Sequence, residues 1–373
     1  MNRCQDCFLP EGKFNVVLND KGICNYCDHF EQHKHNILNI GGREQMLARR
    51  FQKFKGKYEY DAIVGLSGGK DSTYVLYQMV KKYNLKVLAA TYDNGFLTDF
   101  ARQSIKNTVE KLGVDYYYHR PNWTTHKKFY KAAVKKMGDP CIACAIGGYF
   151  LAIKFCYERK VPFFVHGRTP FQMYRNFYEN NNDFFLTFMK LNLMEHSFTT
   201  MSKVYGRINE NMKQFVYGIA DNAQEGKEIA DEFFIDSSVL TEEFVPEFLA
   251  YFLFEEYDED RIKKQIADTL GWEKPASDNL LGHYDCAIHD AAGHMYKKLN
   301  DVDVLEPDIA VMARFGAINR ERAEELMRLQ KPTTQDVEKS LDALCDLCDF
   351  NREYLERTLV TLKQAGISKL ESR

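Results

Sequence analysis

From residue 60 onward, short apolar runs take turns with stretches whose apolar positions recur every three or four residues. The run Tyr60-Asp61-Ala62-Ile63-Val64-Gly65-Leu66 predicts a buried strand, and residues 72–83 a helix. The alternation continues with a strand at 86–92, a helix at 99–112, a strand at 115–119, helices at 123–137 and 144–159, and a strand at 162–166. Strand and helix in strict succession predict an α/β fold with a parallel, Rossmann-like sheet covered on both faces.

The flanking segments read differently. Residues 42–57 place Met46, Leu47, Phe51 and Phe54 on one helical face. Residues 174–182 are rich in Asn and aromatics and 184–201 are largely apolar; both are expected to be loop and helix insertions around a site. Residues 244–272 and 308–330 read as helical, and after the break at Lys331-Pro332-Thr333-Thr334 residues 334–366 read as a helical hairpin. The expected domains are a four-cysteine zinc ribbon over 1–40, a nucleotide domain over 41–240 and a mainly helical region over 241–373.

Composition narrows the setting. With 373 residues and 45% hydrophobic content the chain has ample material for a core, and 50 Lys and Arg against 53 Asp and Glu give no overall pull toward nucleic acid or membrane. The opening residues lack the apolar stretch of a signal peptide, and no run approaches about 18 uninterrupted apolar residues, so a cytoplasmic protein without membrane contact is expected. Ten cysteines in a reducing compartment point to metal or redox chemistry.

Ser67-Gly68-Gly69-Lys70-Asp71-Ser72 sits where a predicted strand gives way to a predicted helix. Two glycines allow a tight turn close to an anion, the helix N–H groups point at it, Ser67 and Ser72 add donors, Lys70 adds charge, and Asp71 is a partner for Mg2+. A glycine turn is common at such junctions; the full string is not, and it differs from the Walker A pattern in glycine spacing and in the Asp after Lys.

Cys4, Cys7, Cys24 and Cys27 form two Cys-x2-Cys knuckles with the spacing of a four-thiolate Zn2+ site, structural because it leaves no open position. Cys141 and Cys144 form a second pair, and Cys286 supplies a distant third thiol. Several readings compete: a redox dithiol, ligands of a 4Fe-4S cluster, a zinc site completed by His283 or His289, or a mere helix start. Cys156, Cys345 and Cys348 read as packing residues; Asp285, His289, Asp290 and His294 read either as a polar helix face or, being near Cys286, as part of a site.

The loop resembles the signature of the PP-loop ATP pyrophosphatases, adenine nucleotide alpha hydrolase-like proteins that cleave ATP to AMP and pyrophosphate through an adenylated substrate. That resemblance implies ATP on Ser67 to Ser72, with Lys70 and Asp71 catalytic. It also implies nucleotide contacts from the second strand end, Ala90-Thr91-Tyr92-Asp93-Asn94-Gly95, where Thr91 and Asp93 are the candidates, and from Gly167. The family's Gly-His and acidic residues at the fourth strand end are replaced by His166-Gly167-Arg168-Thr169; Arg168 is a candidate phosphate contact or a plain surface residue.

The order of features is similar to that of the N-acetyl sugar amidotransferases of bacterial surface-glycan biosynthesis, down to the segment Arg314-Phe315-Gly316-Ala317-Ile318-Asn319-Arg320. Those enzymes take ammonia from a glutaminase partner. Cys141, Cys144 and Cys286 depart from them and resemble the iron-sulfur-dependent tRNA thiolation enzymes. The expectation is therefore an ATP-dependent sulfurtransferase, with the amidotransferase and a non-catalytic adenine-nucleotide sensor as alternatives. A small-molecule acceptor is expected over tRNA, with a sulfur-donor or glutaminase partner and a homodimer as candidate associations.

Overall fold

The structure is a computed structural model and describes residues 2–180, 193, 198–240, 243–273, 284–329 and 332–366. Strands β1 (Ala62–Gly65), β2 (Val87–Tyr92), β3 (Asp115–His119), β4 (Phe163–His166) and β5 (Glu247–Ala250) form one parallel sheet in the order β3-β2-β1-β4-β5. The order reverses at β1, which lies between β2 and β4, and in such sheets the crevice at the carboxyl ends of the strands flanking this point is where ligands bind. Asp61 fixes the entry to β1 by accepting from the N–H groups of Lys86 (2.8 Å) and Gly56 (2.6 Å).

Helices cover both faces. α1 (Asn25–Leu38) and α2 (Arg43–Phe54) precede the sheet, and α3 (Lys70–Lys81), α4 (Asp99–Leu112), α5 (Trp123–Met137), α6 (Cys141–Glu158) and α7 (Pro170–Asn180) follow its first four strands. One face buries Leu47 and Phe51 of α2, Val75 and Leu76 of α3, and Ile262 and Ile266 of the helix Glu259–Leu270 against Val64 and Phe163. The other buries Phe129 and Tyr130 of α5, Phe150 and Phe155 of α6, Val216 and Phe233 against Ile63 and Leu88, and continues into Leu344 and Leu359 of the C-terminal helices. By length and composition α6 is apolar enough to cross a membrane, yet Ala143, Leu151 and Cys156 along it lie in this core.

The expected helix over 244–272 is corrected. Glu247–Ala250 is β5, paired with β4 in the register Phe164↔Phe248, and the helix starts only at Glu259. The run from Phe248 to Phe254 is buried on both sides, so it lacks the alternation that would separate strand from helix. The segment 308–330 is likewise two helices, Glu306–Arg314 and Arg320–Leu329, with Gly316 at φ 71° in the link. Residues 334–366 form the hairpin Thr334–Cys348 and Arg352–Gln364, opened by a reciprocal cap between Thr333 and Asp336. Most of 184–201 and residues 181–182 lie outside the described residues.

Candidate functional site

The turn from Ser67 to Ser72 leaves β1 and opens α3 at the reversal of the sheet. Gly68 adopts φ 85°, and a Cβ there would stand 2.6 Å from the Ala101 carbonyl oxygen, so both conformation and space demand glycine. Its own carbonyl accepts from Ser104 Oγ (2.7 Å) and Trp272 Nε1 (3.3 Å), which pins the turn from two sides. Ser72 Oγ accepts from the Ser67 N–H at 3.1 Å and donates to the Gly69 carbonyl at 3.1 Å. Gly69 is the N-cap of α3 without any side-chain cap, so the first-turn N–H groups at Lys70, Asp71 and Ser72 have no intrahelical acceptor.

Lys70 and Asp71 form an ion pair at 3.0 Å, with side chains 9% and 19% exposed, and Tyr257 donates to Asp71 at 3.1 Å. Burial works against the charged form of Lys70, but Asp71 and Glu259 together outweigh it and the ammonium is held above its ordinary range. Burial raises Asp71 despite Lys70, and it raises Asp285, which Ser67 hydrogen-bonds. Asp71 and Asp285, beside the open first turn of α3, are hard oxygen donors of the kind Mg2+ takes, usually one or two carboxylates at a time, so the residues fit that ion.

These groups open on a cleft of about 440 Å³ lined also by Thr91, Asn94, Cys144, Tyr149, Gly167, Arg168, Phe171, Glu259, Cys286 and Asp308. Gly167 lies against the start of α3, and the Arg168 guanidinium stacks 5.0 Å above the Tyr149 ring. Asp93 is fully buried and is not among the lining residues. It accepts from Tyr118, from Arg120 Nε (2.7 Å) and from the Gly95 N–H (2.9 Å); burial alone would raise it, but these donors hold it below the ordinary carboxylate range. The side chain reaching the cleft here is Asn94. Its amide oxygen accepts from the Phe96 N–H at 2.8 Å, which turns its NH2 toward Cys144 Sγ at 3.3 Å.

Cys286 enters through a strand-like contact: residues 284–287 run antiparallel to 96–98, with Ala287 N–H donating to the Phe96 carbonyl at 2.8 Å and Leu97 bridging Cys286. Cys144 and Cys286 therefore share the cleft, and burial pushes both thiols up, Cys286 far up. Cys141, at the exposed first position of α6, is not among the cleft residues. Two of the three thiols line the cleft and the third stands outside it. His289 begins the helix His289–Asn300, Asp290 follows it there, His294 sits one turn on beside Glu356, and His283 lies outside the described residues. Cys156, Cys345 and Cys348 are buried in the core.

The second site is the amino-terminal knuckle pair. The sulfurs of Cys4, Cys7, Cys24 and Cys27 lie within 4.8 Å of one another and are buried, a donor set and spacing that fit one tetrahedral Zn2+. The Cys24 N–H donates to Cys4 Sγ at 3.2 Å, and Arg314 donates to Cys7 Sγ (3.3 Å) and Cys27 Sγ (3.4 Å). The segment docks on the helices His289–Asn300 and Glu306–Arg314 through Tyr296, Val302 and Ala310, and Arg3 pairs with Glu306 at 2.6 Å.

Asn94, Tyr257, Glu259 and Asp308 were not singled out by the sequence. Each lies beyond the loop motif and meets it only through the fold. No protein-family model matches the chain. An uncharacterized protein of Methanocaldococcus jannaschii is 25% identical over 145 residues, which is 38% of this chain; the match spans half the length of that relative. Among solved structures, the U34-tRNA thiolase NcsA from Methanococcus maripaludis with its 4Fe-4S cluster aligns over 92% of this chain and 87% of that one, with a TM-score of 0.38 and 14% identity.

Proposed function

We propose that the chain is a PP-loop ATP pyrophosphatase that adenylates a substrate oxygen and hands the activated carbon to sulfur. The observation that carries the reading is that the unpartnered first turn of α3 and the thiols of Cys144 and Cys286 open on one cleft. The loop N–H groups and Lys70 hold the β- and γ-phosphates and neutralise the pyrophosphate as it leaves, while a carbonyl or amide oxygen of the acceptor attacks the α-phosphate in line. Asp71 and Asp285 would hold magnesium, which adds positive charge on the same oxygens. AMP is the leaving group of the second step, because oxide is too poor a one.

Thr91 and Gly167 line the nucleotide side; Asp93 supports it from beneath through Gly95. Cys144, which accepts from Asn94, and Cys286 would hold an iron-sulfur cluster or another sulfur-bearing group on the acceptor side. Tyr149, Phe171 and Tyr257 give the cleft an aromatic lining suited to a small molecule rather than to a tRNA body. A structural zinc at Cys4, Cys7, Cys24 and Cys27 completes the assignment.

The sugar amidotransferase is the second reading, favoured by the position of Cys141 outside the cleft, since ammonia needs no thiol. ATP-dependent pyrophosphate release across candidate acceptors, combined with iron and sulfide analysis of anaerobically purified protein, tests the proposal. Pyrophosphate release with sulfur in the product supports it. Release with ammonium as the sole donor and full activity in Cys144→Ala replaces it with the amidotransferase, and nucleotide binding without release across the acceptor panel points to a sensor.

A further inference from the structure

The segment beginning Arg314-Phe315 has no part in the chemistry above, yet it touches both sites of the molecule. Arg314 is 8% exposed and closes the helix Glu306–Arg314 by donating to two of the four sulfurs. Its neighbour Phe315 stacks on Phe30 of α1 (centroids 4.8 Å, planes 21° apart), the helix that carries Cys27. On its other side Phe315 meets Tyr174 (4.9 Å) and Phe171 (6.2 Å) of α7. The same helix sends Asp308 to Arg175 of α7 at 2.9 Å.

From α7 the contacts run on into the cleft. The Phe171 ring stands edge-on to Tyr257 at 5.6 Å, and Tyr257 donates to Asp71 of the phosphate loop. From the sulfurs to the Arg314 guanidinium, through the backbone to Phe315, and on through Phe171 and Tyr257 to the Asp71 carboxylate, the groups thus form one continuous series.

We infer that Arg314 and Phe315 are positioning residues that tie the four-thiol site to the cleft, so that metal in that site sets how firmly α7 is held over the phosphate loop. The physical reason is the charge on sulfur. Four thiolates on a divalent ion carry a net charge of about −2, and a guanidinium donating to two of them makes charge-assisted bonds. Chelation removes the ion that holds the four sulfurs together as a paired acceptor for Arg314. Filling the site therefore tightens the end of the helix Glu306–Arg314, and with it the Phe315 stack and the Asp308–Arg175 pair that carry α7.

The test is amide hydrogen exchange on the full chain, zinc-loaded and after chelation under reducing conditions, for wild type, Arg314→Lys and Phe315→Leu. In wild type, removing zinc accelerates exchange across residues 170–175 and 306–314 by about tenfold while β1 and β2 stay protected. Arg314→Lys keeps the charge but not the two-sulfur fork: it releases zinc to a colorimetric chelator about tenfold faster, and α7 exchanges faster even when zinc is bound. Phe315→Leu holds zinc at wild-type affinity, but its α7 is loose whether or not zinc is present.

Acceleration confined to residues 2–38 overturns the inference, as does an unchanged α7 response in Phe315→Leu. Should chelation unfold the whole chain, the zinc-loaded variants decide: wild-type protection of α7 in both overturns it. None of these readouts uses nucleotide, so they fail or succeed separately from the proposed activity.

Discussion

The end of β4 closes on the start of α3 so tightly that a Cβ on Gly167 would stand 2.9 Å from the carbonyl carbon and oxygen of Asp71 and 3.0 Å from the Ser72 nitrogen. Backbone rather than a flexible side chain is what it would meet, so the loop itself has to move. Gly167→Ala is expected to cost about 1–3 kcal/mol in urea unfolding and to weaken nucleotide binding in calorimetry.

Lys70 is the buried positive charge of the cradle and the ion-pair partner of Asp71. Lys70→Met removes it without adding bulk. Pyrophosphate release should fall by about 10²-fold or more in kcat, as expected for a group acting on charge that builds up during the reaction. An equal loss confined to KM would assign Lys70 to ground-state binding alone.

The cysteines should separate by reactivity. Cys141 is exposed, whereas burial raises the thiols of Cys144 and Cys286, and the thiolate is the reacting form. Brief alkylation of metal-free protein near neutral pH, read by peptide mass spectrometry, is expected to label Cys141 well before the other two.

Glu255 gathers α3 and the end of β5 into one network. It accepts from Tyr74 and Tyr251 and from Lys82 and Arg261, both at 3.0 Å, and its side chain is 7% exposed. Glu255→Leu leaves two buried hydroxyls without their acceptor and should lower unfolding stability by about 3 kcal/mol. Because Tyr74 and Lys82 flank the length of α3, the same variant should also bind nucleotide less tightly.

His126 and His166 are buried and depressed to about 3, chiefly by desolvation. Their folded values lie below the ordinary histidine value near 6.5, so between about pH 6.5 and 3 the unfolded chain binds more protons. Stability should be full above that window and fall as pH drops through it, each histidine adding up to about 1.4 kcal/mol per pH unit. In His126→Phe, acid titration of urea midpoints should show a shallower slope; an unchanged slope would mean that His126 does not titrate this way.

Local chemistry made the strand-to-helix turn at Ser67 to Ser72 legible in the sequence, and the knuckle spacing likewise brings Cys4, Cys7, Cys24 and Cys27 to one point. The alternation of strands and helices carried the parallel sheet as far as β4. It failed at β5, where Phe248 to Phe254 is apolar throughout and periodicity has nothing to report. The cleft walls were hidden for another reason. Tyr257 and Asp285 meet residues 67–71 across sequence separations of 186 or more, and Asn94 stood beside an Asp93 of greater apparent promise, whose carboxylate is committed to Tyr118 and Arg120.

The late arrival of β5 bears on how the chain is made. A ribosome completes the phosphate loop near residue 72, but β5 and Glu255, which anchor α3 beside it, emerge only some 180 residues later. During that interval one edge of the sheet lies open along β4 and the nascent polypeptide exposes the apolar flank that Phe248 will cover. Truncations ending before residue 250 should therefore aggregate rather than yield a smaller folded protein.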